Sequence, residues 1–280
     1  MAERGRPMLT QSKIENPKLP LPNLESPTPN PPSFTVLGVR VDAVQIPQVV
    51  SLMQRWIQER AAVHYIAVTG MHGVMEAQQD PGFRSILEVA DLVVPDGMPL
   101  VWLGRRHGHA LRRRVYGPEL METFCCTTGT SYRHFFYGGG PGVADRVAGV
   151  LKQRYGVNVA GTYFPPFRPL TEEENEQVSS RIRAAAPDVV WVGLGTPKQE
   201  RWMYEHSARL RAPVMVGVGA GFDFVAGRVK QAPAWMRESG LEWLFRLIQE
   251  PRRLWRRYFI NGAEFVWKVS LELLGFKKFE

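Results

Sequence analysis

The stretch Asp188-Val189-Val190-Trp191-Val192-Gly193-Leu194-Gly195-Thr196-Pro197-Lys198-Gln199-Glu200 decides the fold. Its apolar first half reads as a strand, and it runs through a Gly-rich turn into a helix. Pro197 suits the first helical position and Thr196 the cap, so free backbone amides, with Lys198 beside them, would face an anion. Glycines such as Gly195 let a ligand approach the backbone closely.

The same alternation recurs along the chain. Apolar runs at Thr35 to Val41, His64 to Val68, Leu92 to Val94, His134 to Tyr137, Asn158 to Gly161, Val189 to Leu194 and Val214 to Val218 read as strands. Between them lie helical patterns at Ile46 to Arg60, Glu119 to Thr128, Val143 to Tyr155 and Glu172 to Ala185, and Thr171 with Glu174 forms a capping box for the last. This alternation predicts an α/β fold: a Rossmann-like, mainly parallel sheet with helices on both faces, followed by a C-terminal helical appendage.

Open sheets of this kind bind ligands at the carboxyl ends of their strands. One such end is Ala90-Asp91-Leu92-Val93-Val94-Pro95-Asp96-Gly97, which delivers a carboxylate into a turn. Two readings fit it. Pro-Asp-Gly is ordinary turn chemistry, and Asp96 is also a candidate catalytic base. Set beside the Gly193 to Glu200 segment, the pair points to a diphosphate and a base. Glu200 is a second candidate for the base, and Gln199 for a hydroxyl partner. Gly138-Gly139-Gly140-Pro141-Gly142 is a further Gly-rich strand end, where Gly138 and Gly139 would admit a phosphate or ribose. Its spacing fits neither a dinucleotide fingerprint nor a Walker loop. His72 has no second ligand at metal spacing, which favours a helix-start or surface role.

The chain has 280 residues, 44% of them hydrophobic, enough for one substantial core with a tail and an appendage. Residues 1–33 are Pro-rich and poor in aromatics, so a disordered leader is expected there, a core at 34–239 and a basic, aromatic-rich helical appendage at 240–280. Signal-peptide and membrane-spanning patterns are lacking, which predicts a cytoplasmic protein. Adjacent Cys125 and Cys126 offer no disulfide framework or metal cage and read as buried thiols. The net charge of +8 is concentrated at Arg105 to Arg114 and at Arg252-Arg253-Leu254-Trp255-Arg256-Arg257-Tyr258, not spread as for nucleic acid. Arginines interleaved with Trp255, Tyr258 and Phe259 suit an anionic membrane surface. The same pattern also fits terminal helices whose aromatic face joins the core.

Several segments together carry a resemblance: Val36-Leu37-Gly38-Val39 with Asp42; Asp80-Pro81-x-Phe83-Arg84; Ala90 to Gly97; Arg114-Val115-Tyr116-Gly117-Pro118-Glu119-Leu120-Met121; Gly193 to Glu200; Phe222-Asp223-Phe224; and Leu241 to Tyr258. In this order, over roughly Phe34 to Tyr258, the chain resembles the WecG/TagA/CpsF family of bacterial glycosyltransferases. The resemblance implies an inverting transfer, without bound metal or other cofactor, from a UDP-sugar to a polyprenyl-diphosphate-linked acceptor. The sugar would be of N-acetylmannosamine type, or glucuronic acid or glucose, in exopolysaccharide, capsule or wall-polymer synthesis. It assigns Asp96 as base, Arg114, Lys198 and C-terminal arginines as cations near the departing UDP, and Arg246, Arg253 and Arg256 as the arginines brought over the site.

Relatives hold the donor with a Thr-x-Asn pattern. Thr69 matches it, whereas Met71 replaces the amide in a loop one residue shorter. Asp223 would bond the nucleotide or cap a turn. The appendage implies peripheral attachment to the inner face of the cell membrane, and a homo-oligomer fits an enzyme completed by its own appendage. A different class of reading is a nonenzymatic UDP-sugar-binding scaffold of polysaccharide assembly; acceptor-stimulated release of UDP separates the two.

Overall fold

The computed structural model describes residues 31–279, without the side chain of Arg253. All but the end of the expected leader therefore lies outside the described residues. In chain order the elements are β1 (Ser33–Val36), β2 (Val39–Asp42), α1 (Ile46–Glu59), β3 (His64–Thr69), α2 (Met71–Gln79), α3 (Pro81–Glu88), β4 (Leu92–Pro95) and α4 (Met98–Arg106). There follow α5 (Gly117–Thr128), β5 (Arg133–Gly138), α6 (Val143–Tyr155), β6 (Asn158–Tyr163), α7 (Glu172–Ala185), β7 (Val189–Gly193), α8 (Lys198–Leu210) and β8 (Val214–Gly217). The chain continues through α9 (Gly221–Val225), α10 (Ala234–Glu238), α11 (Glu242–Gln249), α12 (Pro251–Trp255), a π-helical turn (Arg256–Asn261) and α13 (Gly262–Leu273).

Six strands form one parallel sheet in the order β4-β3-β8-β7-β5-β6. The central strands β7 and β8 bury nearly every residue, because helices cover both faces. One apolar layer is formed by α1, α5, α6 and α9, with Trp56, Phe124, Phe136, Trp191 and Phe222 at its centre. The other is formed by α2, α3, α4, α7 and α8 with Phe83, Tyr137 and Met203. The Rossmann-like α/β architecture expected from the sequence is the one observed. The expected capping box is present too: Thr171 Oγ1 accepts from the Glu174 amide, and the Glu174 side chain accepts from the Thr171 amide.

Residues 35–41, expected as one strand, instead form a hairpin outside the parallel sheet. β1 and β2 pair antiparallel around Leu37 and Gly38, both at positive φ. Leu37 is not a usual turn residue, and what holds it there is tertiary. Its side chain is fully buried, its amide donates to Glu272 of α13, and its carbonyl accepts from Gln78 of α2. The hairpin also steadies the strand that carries Asp96, since buried Asp42 Oδ2 accepts from the Val93 amide at 2.7 Å. Cys125 is buried, but Cys126 is exposed. Neighbouring residues on a helix point about 100° apart, so one thiol of an adjacent pair faces outward.

Residues 241–273 fold back on the core through Glu242, Leu254, Phe265 and Val269, the last two joining the layer under α2. Their outer surface is apolar. Trp243, Trp255, Phe259, Ile260, Val266 and Trp267 are exposed, the last at 65%. Among the described residues no helix is long and apolar enough to cross a membrane.

Candidate active site

The carboxyl ends of the parallel strands build one crevice. Asp96 leaves β4 there, and its amide donates to the Thr69 carbonyl at the end of β3 at 2.8 Å. A Cβ on Gly70 would stand 2.4 Å from the Asp96 carbonyl oxygen, so only glycine lets the two loops close to this distance. The Asp96 side chain is 31% accessible, yet Oδ1 is sealed from solvent and makes no hydrogen bond. It is paired with Arg114, whose Nη1 lies 3.8 Å from Oδ1. Burial pushes the Asp96 carboxyl up to about 6; Arg114, Arg246 and Arg257 pull it back, and Glu242 adds to the rise.

Arg114 is held on three sides. It lies over the Tyr116 ring at 4.1 Å and is paired with Asp96 and with buried Glu242 of α11. Burial alone would make it easier to deprotonate, but the two carboxylates outweigh that and raise it further. An aromatic bridge continues the contact into the C-terminal segment: Tyr116 meets Phe224 at 6.1 Å, and Arg246 lies over Phe224 at 5.7 Å. The structure thus brings Asp96, Arg114 and Arg246 together. Glu242 and Arg257, which the sequence did not single out, join them.

Arg257 acts on both Asp96 and His72, whereas Arg256 is exposed over the neighbouring Trp255. Both belong to the π-helical turn. Arg253, whose assignment rested on position alone, has a side chain outside the described set.

Thr69 is buried at the end of β3, and its Oγ1 has no partner. His72 sits in the first turn of α2 with Nδ1 buried and unpartnered. Burial, then Arg257, lowers it to about 4, so the ring is neutral at physiological pH. Orphaned polar atoms are uncommon in folded proteins. Here Thr69 Oγ1 at the end of β3 and His72 Nδ1, Asp96 Oδ1, Tyr116 OH, Glu200 Oε2 and Arg246 Nε on the neighbouring loops and helices are all buried without a partner. A polar ligand held at this edge would find these atoms free to bond.

The Gly193 to Glu200 segment departs from expectation in detail. Lys198 opens α8 and is exposed, and Pro197 precedes the helix. Thr196 does not cap an amide; its hydroxyl donates to Glu200 Oε1 at 2.9 Å. Gln199 is buried between strand ends. Its Oε1 accepts from the amides of Gly195 at 3.2 Å and Gly219 at 2.8 Å, and its Nε2 donates to Glu200. It braces the loops after β7 and β8. Glu200 is fully buried in that brace, and burial raises its carboxyl.

The glycines separate by what their missing Cβ would meet. A Cβ on Gly138 would strike the Gly193 backbone of the paired strand at 2.7 Å, and one on Gly139 the Val143 side chain of α6 at 2.8 Å, so the first serves packing between strands and the second packing against a helix. A Cβ on Gly195 would meet nothing, so there is room beside this loop for a ligand. At the far end of the crevice Asp223 Oδ1 lies 4.0 Å from Arg228 Nε, and Arg228 reaches the Gly140 loop. Among the described residues no group of His, Cys, Asp or Glu is placed to hold a metal ion. A broad hollow along α7 is lined by Glu172, Glu173 and Glu176 and has the wrong charge for a diphosphate.

Comparison with known proteins bears on this crevice. A family model described as the glycosyl transferase WecG/TagA/CpsF family matches residues 34–279. The N-acetylglucosaminyldiphosphoundecaprenol N-acetyl-beta-D-mannosaminyltransferase of Bacillus spizizenii is 32% identical over 184 residues, covering 65% of this chain and 69% of that protein. A protein of the same name from Staphylococcus aureus is 28% identical over 251 residues, covering 89% of this chain and 96% of its own.

Proposed function

Because the chain belongs to the WecG/TagA/CpsF family of glycosyl transferases, we propose that it moves a sugar from a UDP-sugar to a polyprenyl-diphosphate-linked acceptor. The donor sugar is of N-acetylmannosamine type, or glucuronic acid or glucose. The similar proteins named for N-acetylmannosamine transfer to an undecaprenol-linked N-acetylglucosamine support the acceptor class.

One observation carries the reading. A carboxylate with a bare, sealed oxygen and an affinity for protons raised to about 6 lies against Arg114, with Arg246 and Arg257 acting on it. A base poised near the working pH accepts a hydroxyl proton and is still ionised when substrate arrives. In the proposed step Asp96 takes the proton of the acceptor hydroxyl, and that oxygen bonds to the anomeric carbon. The bond from this carbon to UDP breaks from the opposite side, and its electron pair leaves on the diphosphate. The configuration inverts. Arg114, Arg246, Arg257 and Lys198 stabilise the charge that gathers on UDP, and the open space beside Gly195 leaves room for the diphosphate.

The exposed aromatic surface of residues 243–267, with Arg252 and Arg256 beside it, supports peripheral contact with an anionic inner membrane face. The test is the product. Incubation with a UDP-sugar and a short-chain polyprenyl-diphosphate sugar should give a new glycoside of inverted anomeric configuration by NMR, and Asp96→Asn should give none. Retention of configuration would exclude the single displacement.

A further inference from the structure

Next to the crevice lies a cavity of about 280 Å³ lined by Met98, Arg112, Arg113, Arg114, Glu119, Arg237 and Glu238. We propose that it is the subsite for the diphosphate of the lipid-linked acceptor, an inference that rests on the transferase reading above.

The charges in its wall are not self-satisfied. Arg113 is paired with Glu119 at 3.1 Å and Glu238 at 3.3 Å, and Arg114 is paired with Glu242 and Asp96. Arg112 and Arg237 make no ion pair among the described residues, and Arg237 Nε is buried without a hydrogen-bond partner. Guanidinium groups match phosphate oxygens with paired donors, so both side chains suit a phosphate group in this cavity.

Arg114 fixes the place of this cavity in the reaction. It lines the cavity and also approaches Asp96. A sugar whose hydroxyl meets Asp96 therefore extends its anomeric diphosphate past Arg114 toward Arg112 and Arg237. The donor diphosphate has Lys198 and the C-terminal arginines as further partners, so the two anionic substrates meet at Arg114 and have separate cations beyond it. The rim also suits a phosphate anchored by lipid. Trp235, in the same short helix as Arg237, is 63% exposed, and Trp102, 50% exposed, packs beside Met98 against Gly240. Tryptophan at a polar–apolar boundary is the pattern of a membrane interface, where the acceptor diphosphate lies.

The probe is inorganic pyrophosphate titrated calorimetrically into the full chain under saturating UDP, so that the donor site is filled. Wild type should bind it, and Arg112→Ala with Arg237→Ala should weaken binding about ten- to a hundred-fold. Glu238→Gln should tighten it, a change of opposite sign that misfolding does not mimic. In transfer assays the double variant should raise the acceptor KM by a similar factor and leave the donor KM in place.

Pyrophosphate binding unchanged in the double variant would overturn the proposal, as would a rise in donor KM instead of acceptor KM. Displacement of pyrophosphate by phosphatidylglycerol vesicles free of acceptor would assign the cavity to membrane headgroups and also overturn it. Failure of wild type to transfer to any acceptor counts against the transferase reading, whereas the titration decides the cavity as a diphosphate site on its own.

Discussion

Replacing Asp96 by Asn should abolish transfer and make the protein more stable at neutral pH. In the folded protein burial moves this carboxyl from 3.8 to about 6. A raised acid binds its proton more tightly folded than unfolded, so stability falls as pH rises from about 4 to about 6 and stays reduced above that. A shift of roughly two units, at about 1.4 kcal/mol each, sets a ceiling of about 3 kcal/mol. The side chain is 31% accessible, and Arg114 loses one of its two carboxylates in the variant. These offsets bring the expected gain to about 1–2 kcal/mol. Urea unfolding of both proteins should give equal stabilities near pH 4 and an advantage for the variant that grows to a plateau above pH 6. A variant less stable than wild type at pH 7, or a difference independent of pH, would refute the account of Asp96 as a carboxylate ionised at a cost for function.

The same titration should appear in catalysis, with kcat/KM rising as pH increases through about 6 and levelling above it, as expected for a base that must be ionised. Glu242→Gln should move that limb to lower pH, since Glu242 helps to raise Asp96, and should cost about 1–3 kcal/mol in denaturant unfolding through loss of the buried pair with Arg114. Gly70→Ala should destabilise by about 1–3 kcal/mol and reduce transfer, because the new methyl meets the Asp96 carbonyl; thermal melts and the transfer assay check both. Arg257→Ala should depress transfer far more than Arg256→Ala, as only the former faces Asp96. Replacing exposed Trp255, Phe259 and Trp267 together by Ala should leave the melting temperature unchanged and abolish flotation with anionic vesicles, which a sedimentation assay reads directly.

The parallel sheet was legible because its strands are apolar on both faces and its helices keep their own period. The run Val189 to Gly193 and the helix Val143 to Tyr155 needed no tertiary information. The hairpin was not legible, because Leu37 takes a turn conformation under the influence of Glu272 and Gln78, distant in sequence. In the crevice Asp96 and Arg114 could be read from motif order. Gln199 and Glu200 were found, but their bonding to Gly195, Gly219 and Thr196 depends on how strand ends meet. Glu242 gave no local signal, since a glutamate in the first turn of an amphipathic helix is ordinary. Its role follows from the helix folding back over Arg114. The choice between Arg256 and Arg257 depends on how the C-terminal segment folds back over Asp96, which the two adjacent arginines do not announce.

The most direct test of the central claim is UDP release from a panel of UDP-sugars, with and without a short-chain polyprenyl-diphosphate acceptor, by wild type and Asp96→Asn. The account predicts release from one donor class, stimulated by acceptor in wild type and lost in the variant although UDP still binds. Acceptor-stimulated release that persists at near-normal rate in Asp96→Asn would contradict it.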